Sequence, residues 1–139
     1  MIYRISIEEV ELIAHRIAKE SMRWDEPIPD FSSRYPNVLE SCLLTPFQTY
    51  SKKDLYPGLI GKGTILFYLM IKNHPFQNGN KRLAITTLFV FLSKNGKWIK
   101  ADNQELYNFA VWVASSPPAY QEEIMAAIQK FLRKNMVDL

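Results

Sequence analysis

Within nine positions, His74-Pro-Phe-Gln-Asn-Gly-Asn-Lys-Arg82, the chain gathers an imidazole, three amides, a glycine, an ammonium and a guanidinium. An imidazole titrates near neutrality and can take the proton of an attacking hydroxyl, which makes His74 a candidate general base. Lys81 and Arg82 supply positive charge, and a guanidinium can grip a phosphate with two parallel hydrogen bonds. Gly79 would let the backbone come close to a ligand. The residues that follow read as the start of a helix, where unbonded N–H groups and the positive end of the dipole favour an anion. Gly79, Asn80, Lys81 and Arg82 therefore suggest a phosphate nest, with a polyphosphate as its natural occupant. Each residue alone also has a plainer reading. His74-Pro75 can end a helix, Asn78-Gly79 can form a turn, and Lys81 and Arg82 can be a solvated first turn. Phe76 is a packing residue that pins the loop in either case.

The elements that would position this loop are two apolar helices. Leu59, Ile60, Ile65, Leu66, Leu69 and Met70 predict a core helix over Pro57 to Asn73, and Leu83, Ala84, Thr87, Leu88, Phe91 and Leu92 predict another over Asn80 to Ser93, ended at Asn95-Gly96. Placing polar and cationic groups between two buried helices costs desolvation energy unless they have partners. Upstream, Ser6-Ile-Glu-Glu9 is a capping box opening a helix to about Ser21, with Ile7, Val10, Ala14, Ile17 and Ala18 on its apolar face and His15 off that face, at the surface. Asp25 to Pro36 is loop chemistry, rich in proline. Asn37 to Leu44 suits a short helix, and Thr45 to Tyr50 reads as extended, the only strand candidate. Asp102 with Glu105 opens a further helix, and Pro117-Pro118 suits the first turn of a last one through Ile124, Ile128 and Leu132. The expected fold is all-α, a compact helical bundle.

With 139 residues, 47% hydrophobic and 22% charged, the chain is sized for one globular domain, residues 1–139. Its longest apolar runs are too short to span a bilayer and its start lacks a signal-peptide pattern, so no membrane role and a cytoplasmic location are expected. The net charge is +3, but the basic residues are scattered among acidic ones, which argues against nucleic acid as a partner. The cluster from Lys130 to Lys134 suits the negative end of a helix dipole. Cys42 is the single cysteine, so no internal disulfide can form, and with only His15 and His74 beside it a zinc site lacks ligands. Its apolar neighbours make Cys42 a buried packing residue.

The string His-Pro-Phe-x-x-Gly-Asn-Lys-Arg resembles the signature of the Fic/Doc family. The flanks Leu55-Tyr-Pro57, Asn73-His74, Leu83-Ala84 and Asn95-Gly96 are similar to its death-on-curing branch, and the likeness extends over nearly the whole chain. The resemblance implies a Fic-like bundle with a short β-hairpin flap, ATP and Mg²⁺ as cofactors, and modification of a protein hydroxyl. It implies His74 as general base, position 78 as the Mg²⁺ residue, and Gly79, Asn80 and Arg82 as the phosphate cradle. Lys81, where adenylylating members have glycine, and Ile85, where they have a second arginine, favour the Doc branch. That branch implies a kinase-type toxin of a translation elongation factor, with Lys81 and Arg82 joining His74 in catalysis. Thr45, Phe47, Gln48 and Thr49 correspond to the family's target-docking flap, which holds a substrate by strand addition.

One departure weakens the expected activity. Position 78 is Asn, whose amide oxygen carries no net charge, whereas Mg²⁺ prefers carboxylates. Transfer of AMP and a catalytically inactive nucleotide- or protein-binding module therefore stay open as alternatives. Some Fic proteins carry an inhibitory Ser/Thr-x-x-x-Glu helix, but no Ser or Thr here stands four residues before a Glu. Restraint by a separate antitoxin, acting in trans, is the expectation.

Overall fold

The computed structural model describes residues 1–22 and 27–139, so Asp25 and Glu26 of the anticipated loop lie outside the described residues. The first helix, α1, covers residues 7–21. Its start is the predicted capping box, with the Ser6 hydroxyl accepting from Glu9 N–H at 3.1 Å and the Glu9 carboxylate accepting from Ser6 N–H at 2.8 Å. Midway, Val10–Ala14 form a π-type turn, and the His15 N–H reaches back to the Val10 carbonyl. A π turn takes more residues per turn than an α turn, so the buried face beyond it is displaced. Ala18 and His15 are buried, and Ile17 is 39% exposed. Two expectations are corrected by this: His15 is not a surface residue, and Ile17 does not belong to the core.

Helix α2, Pro36–Leu44, opens with proline in its first turn and buries Leu39, Cys42 and Leu43. Burial pushes the Cys42 thiol up to about 12, which leaves it an inert packing group. The extended reading of Thr45 to Tyr50 holds only from Gln48 onward, and only its last two residues pair as a strand. Thr45–Phe47 continue the helix as a 3-10 turn, in which the Thr45 hydroxyl donates to the Ser41 carbonyl at 2.7 Å and Pro46 is buried. Strand β1 is Thr49–Tyr50, paired antiparallel with β2, Lys53–Asp54, with Thr49 opposite Asp54. Ser51 and Lys52 make the turn between them at φ +50° and +65°, as a two-residue hairpin requires.

Helices α3, Gly58–Lys72, and α4, Asn80–Lys94, form the apolar centre and pack most extensively on each other. Gly63 sits at their contact, where an added Cβ would stand 3.3 Å from Leu88 Cδ1. Lys62, buried in α3, donates to the Asp54 carboxylate at 3.0 Å and the Tyr56 carbonyl at 2.7 Å, tying the hairpin to this helix.

After α4 the chain forms a second pairing that the sequence did not signal. β3, Lys97–Ile99, lies antiparallel to β4, Met136–Asp138, and three residues are too few to display an alternating pattern. Between them run α5, Asn103–Ser115, capped by Asp102, and α6, Gln121–Asn135, with Arg133 and Lys134 in its last turn. Pro118 begins a separate 3-10 turn, Pro118–Tyr120, ahead of α6. Lys72 donates to the carbonyls of Ala114 at 3.2 Å and Ser116 at 2.5 Å, which fastens the end of α5 to the end of α3. No helix among the described residues is long and apolar enough to cross a membrane.

Candidate active site

The link between α3 and α4 is a seven-residue loop, 73–79, whose conformation is set at both ends by left-handed residues. Helix α3 ends when His74 takes φ +51°, a conformation usually left to glycine or asparagine after a helix. Pro75 then prevents the helix from resuming, and its carbonyl accepts from Tyr35 N–H at 2.8 Å. Phe76 is fully buried, with its ring 5.9 Å from both His15 and Phe31, so it does pin the loop. His15 completes that anchor, because its Nε2 lies 2.8 Å from the Pro29 carbonyl.

At the other end Gly79 has φ +74° and precedes α4 with no side-chain cap. A Cβ on Gly79 would lie 2.9 Å from Ile28 Cγ1 and 3.5 Å from Arg82 Nη2, so both the conformation and the space demand glycine. Asn80, buried at the first helical position, folds back on the loop. Its Oδ1 accepts from Phe76 N–H at 3.0 Å and its Nδ2 donates to the Phe76 carbonyl at 2.8 Å. The Asn80 side chain is therefore occupied with the loop, and what it can offer an anion is its main-chain N–H.

Arg82 is 3% exposed, far from a solvated first turn, and its Nη1 donates to the Met22 carbonyl at 3.1 Å. It joins α4 to the end of α1. Lys81 is half-buried and makes no hydrogen bond or ion pair among the described residues.

These residues surround one cavity of about 320 Å³, a volume in the range of small-ligand sites. His74, Asn78, Gly79, Asn80, Lys81 and Arg82 all line it. Ile71 of α3 and Tyr107 and Ala114 of α5 add an apolar contribution. Tyr107 and Ala114 had no signal in the sequence, since the docking of α5 brings them beside a loop that ends 28 residues before Tyr107. Thr45, Phe47, Gln48 and Thr49 do not line the cavity. Phe47 lies edge-on to Phe91 and beneath the Arg4 guanidinium.

The cavity's chemistry favours an anion. It combines an uncapped helix N-terminus, an ammonium and a guanidinium, while Asn78 offers a neutral amide. Among the described residues that donor set fits a polyphosphate and fits Mg²⁺ poorly, since a hard dication prefers carboxylates.

A family model described as the Fic/DOC family matches residues 4–92, which include the whole motif. Among curated proteins, "Toxin Doc" of Mycolicibacterium smegmatis is 34% identical to the chain over 65 residues, 47% of this chain and 50% of that protein. The match thus spans half the length of that relative. No solved structure matches the chain.

Proposed function

Because the chain belongs to the Fic/DOC family, we propose that it is a Doc-like toxin that transfers the terminal phosphate of ATP to a hydroxyl of a target protein. The target class favoured by the Doc likeness is a translation elongation factor, met in the cytoplasm. The observation that carries the reading is the convergence of Lys81, Arg82 and the uncapped start of α4 on the cavity that His74 also lines.

In this reading the polyphosphate lies against the first N–H groups of α4, with Lys81 and Arg82 taking up its charge. Ile71, Tyr107 and Ala114 provide apolar surface for the nucleoside. His74 accepts the proton of the target hydroxyl, whose oxygen bonds to the terminal phosphorus as the bond to the bridging oxygen breaks, and ADP departs. Mg²⁺ would ordinarily neutralise phosphate charge in such chemistry, but the described residues fit it poorly and no step here is assigned to it. The hairpin at Thr49–Asp54 would receive the target by strand addition, with Tyr50 exposed near its turn. An antitoxin acting in trans would restrain the site.

AMP transfer is the second reading. Lys81 disfavours it, because a side chain at this position crowds a nest that a glycine would leave open for the α-phosphate. A third reading, a binding module without transfer, draws its support from Asn78. Intact-mass spectrometry of purified translation factors after incubation with the protein and ATP separates the three. Addition of one phosphoryl group supports the proposal, addition of AMP supports the second reading, and no addition despite ATP binding supports the third.

A further inference from the structure

We propose that Asn80 is a positioning residue that fixes the tautomer of His74, holding the neutral imidazole with its proton on Nε2 and its lone pair on Nδ1. The orientation of the Asn80 amide is determined by the loop itself. Oδ1 accepts from Phe76 N–H at 3.0 Å and Nδ2 donates to the Phe76 carbonyl at 2.8 Å. Turned over, the amide would set its NH₂ against an N–H and its oxygen against a carbonyl, losing both bonds inside a buried site. The second hydrogen on Nδ2 then meets the neighbouring acceptor, and that atom, at 3.4 Å, is Nδ1 of His74. An Nδ1 carrying hydrogen would oppose an NH₂ group, so the neutral ring is accommodated as an acceptor there and carries its proton on Nε2.

This inference rests on His74 as the base of the proposed transfer. The lone pair of the neutral ring is the one that faces Asn80. When Nδ1 takes the hydroxyl proton, the ring becomes an imidazolium with hydrogen on both nitrogens, and the Asn80 contact is released. At 3.4 Å that contact is a long hydrogen bond, one the incoming hydroxyl can replace. Asn80 holds the ring in the tautomer whose base nitrogen is Nδ1 until the hydroxyl displaces it. Nε2–H stays a donor throughout, suited to a phosphate oxygen.

The chain's two histidines make the test direct. In ¹⁵N-labelled protein without nucleotide, at a pH above the ordinary histidine range, long-range ¹H–¹⁵N spectra distinguish protonated from bare ring nitrogens. His15 is the internal reference, because a carbonyl can only accept and its Nε2, at 2.8 Å from the Pro29 oxygen, must carry hydrogen. We expect His74 to show one tautomer, protonated on Nε2, in the native protein. In Asn80→Ala it drifts toward a mixture, and in Asn80→Asp toward protonated Nδ1, while His15 is unchanged. A native His74 that is protonated on Nδ1, or as mixed as in Asn80→Ala, overturns the proposal. Because a free imidazole already favours its proton on Nε2, support requires a native ring wholly in that form and a fall in that population in at least one of Asn80→Ala, Asn80→Asp and Asn80→Ser. A native mixture, or no fall in any folded variant, overturns the proposal. The spectrum involves no transfer, so it can fail while the kinase reading stands, and the reverse.

Discussion

His74 pairs an exposed imidazole with a left-handed backbone, so the choice of replacement governs what a mutation reports. Asparagine tolerates positive φ better than alanine does and cannot act as a base, so His74→Asn should leave thermal stability near native and lower phosphotransfer about 10²–10⁴-fold. A normally folded, fully active variant would remove His74 from the chemistry. At position 78 the amide is the deficit, and Asn78→Asp should tighten Mg²⁺ binding and raise transfer by about 10²–10³-fold, the effect of a positioned electrostatic group. The comparison requires protein whose mass confirms asparagine, because Asn-Gly deamidates readily in flexible backbone. Equal rates and equal Mg²⁺ dependence in both forms would show that position 78 does not serve a metal. Gly79→Ala tests the loop: strain at φ +74° and the 2.9 Å approach to Ile28 should together cost more than about 1 kcal/mol in chemical denaturation. At this scale the sequence was most legible for residues whose roles depend on near neighbours, such as the Ser6 cap and the Gly79 start of α4. It was least legible for Arg82 and Asn80, whose side chains are claimed by Met22 and by Phe76.

Helix periodicity located the elements well because long apolar stripes average over local accidents, as in α3 and α4. It failed where one local event changed the geometry. The π turn in α1 moved the buried face from Ile17 to His15, and no residue type in Val10–Ala14 announces such a turn. The extended segment begins later than expected for a similar reason, since the helix of Pro36–Leu44 runs on through Thr45–Phe47 before the chain extends. The hairpin's placement depends on Lys62, which holds Asp54 and the Tyr56 carbonyl and lies 5.5 Å from the centre of the Phe47 ring. Lys62→Met should keep the apolar stem, lose both hydrogen bonds and speed amide exchange in residues 48–56, with ATP affinity unchanged. If the flap receives the target, the same variant raises KM for the target more than it lowers kcat. Unaltered exchange in the hairpin would show that Lys62 does not anchor it.

All the described helices contribute to one continuous core, and the cavity lies where the loop, α3, α4 and α5 meet at its edge. The motif residues of the site were legible because they are contiguous in sequence. Tyr107 and Ala114 were not, because they reach it through tertiary packing, partly secured by Lys72 on the end of α5. We expect this cavity to take a polyphosphate through its own cations. Lys81 is the clean probe, because Arg82 also bonds the Met22 carbonyl and its removal would disturb folding as well as binding. The decisive measurement is titration calorimetry of ATP against the native protein and Lys81→Ala, with equal stability of the two verified. We expect a single site whose affinity falls about tenfold in the variant, the equivalent of about 1.4 kcal/mol. An affinity that does not change when Lys81 is removed would contradict it.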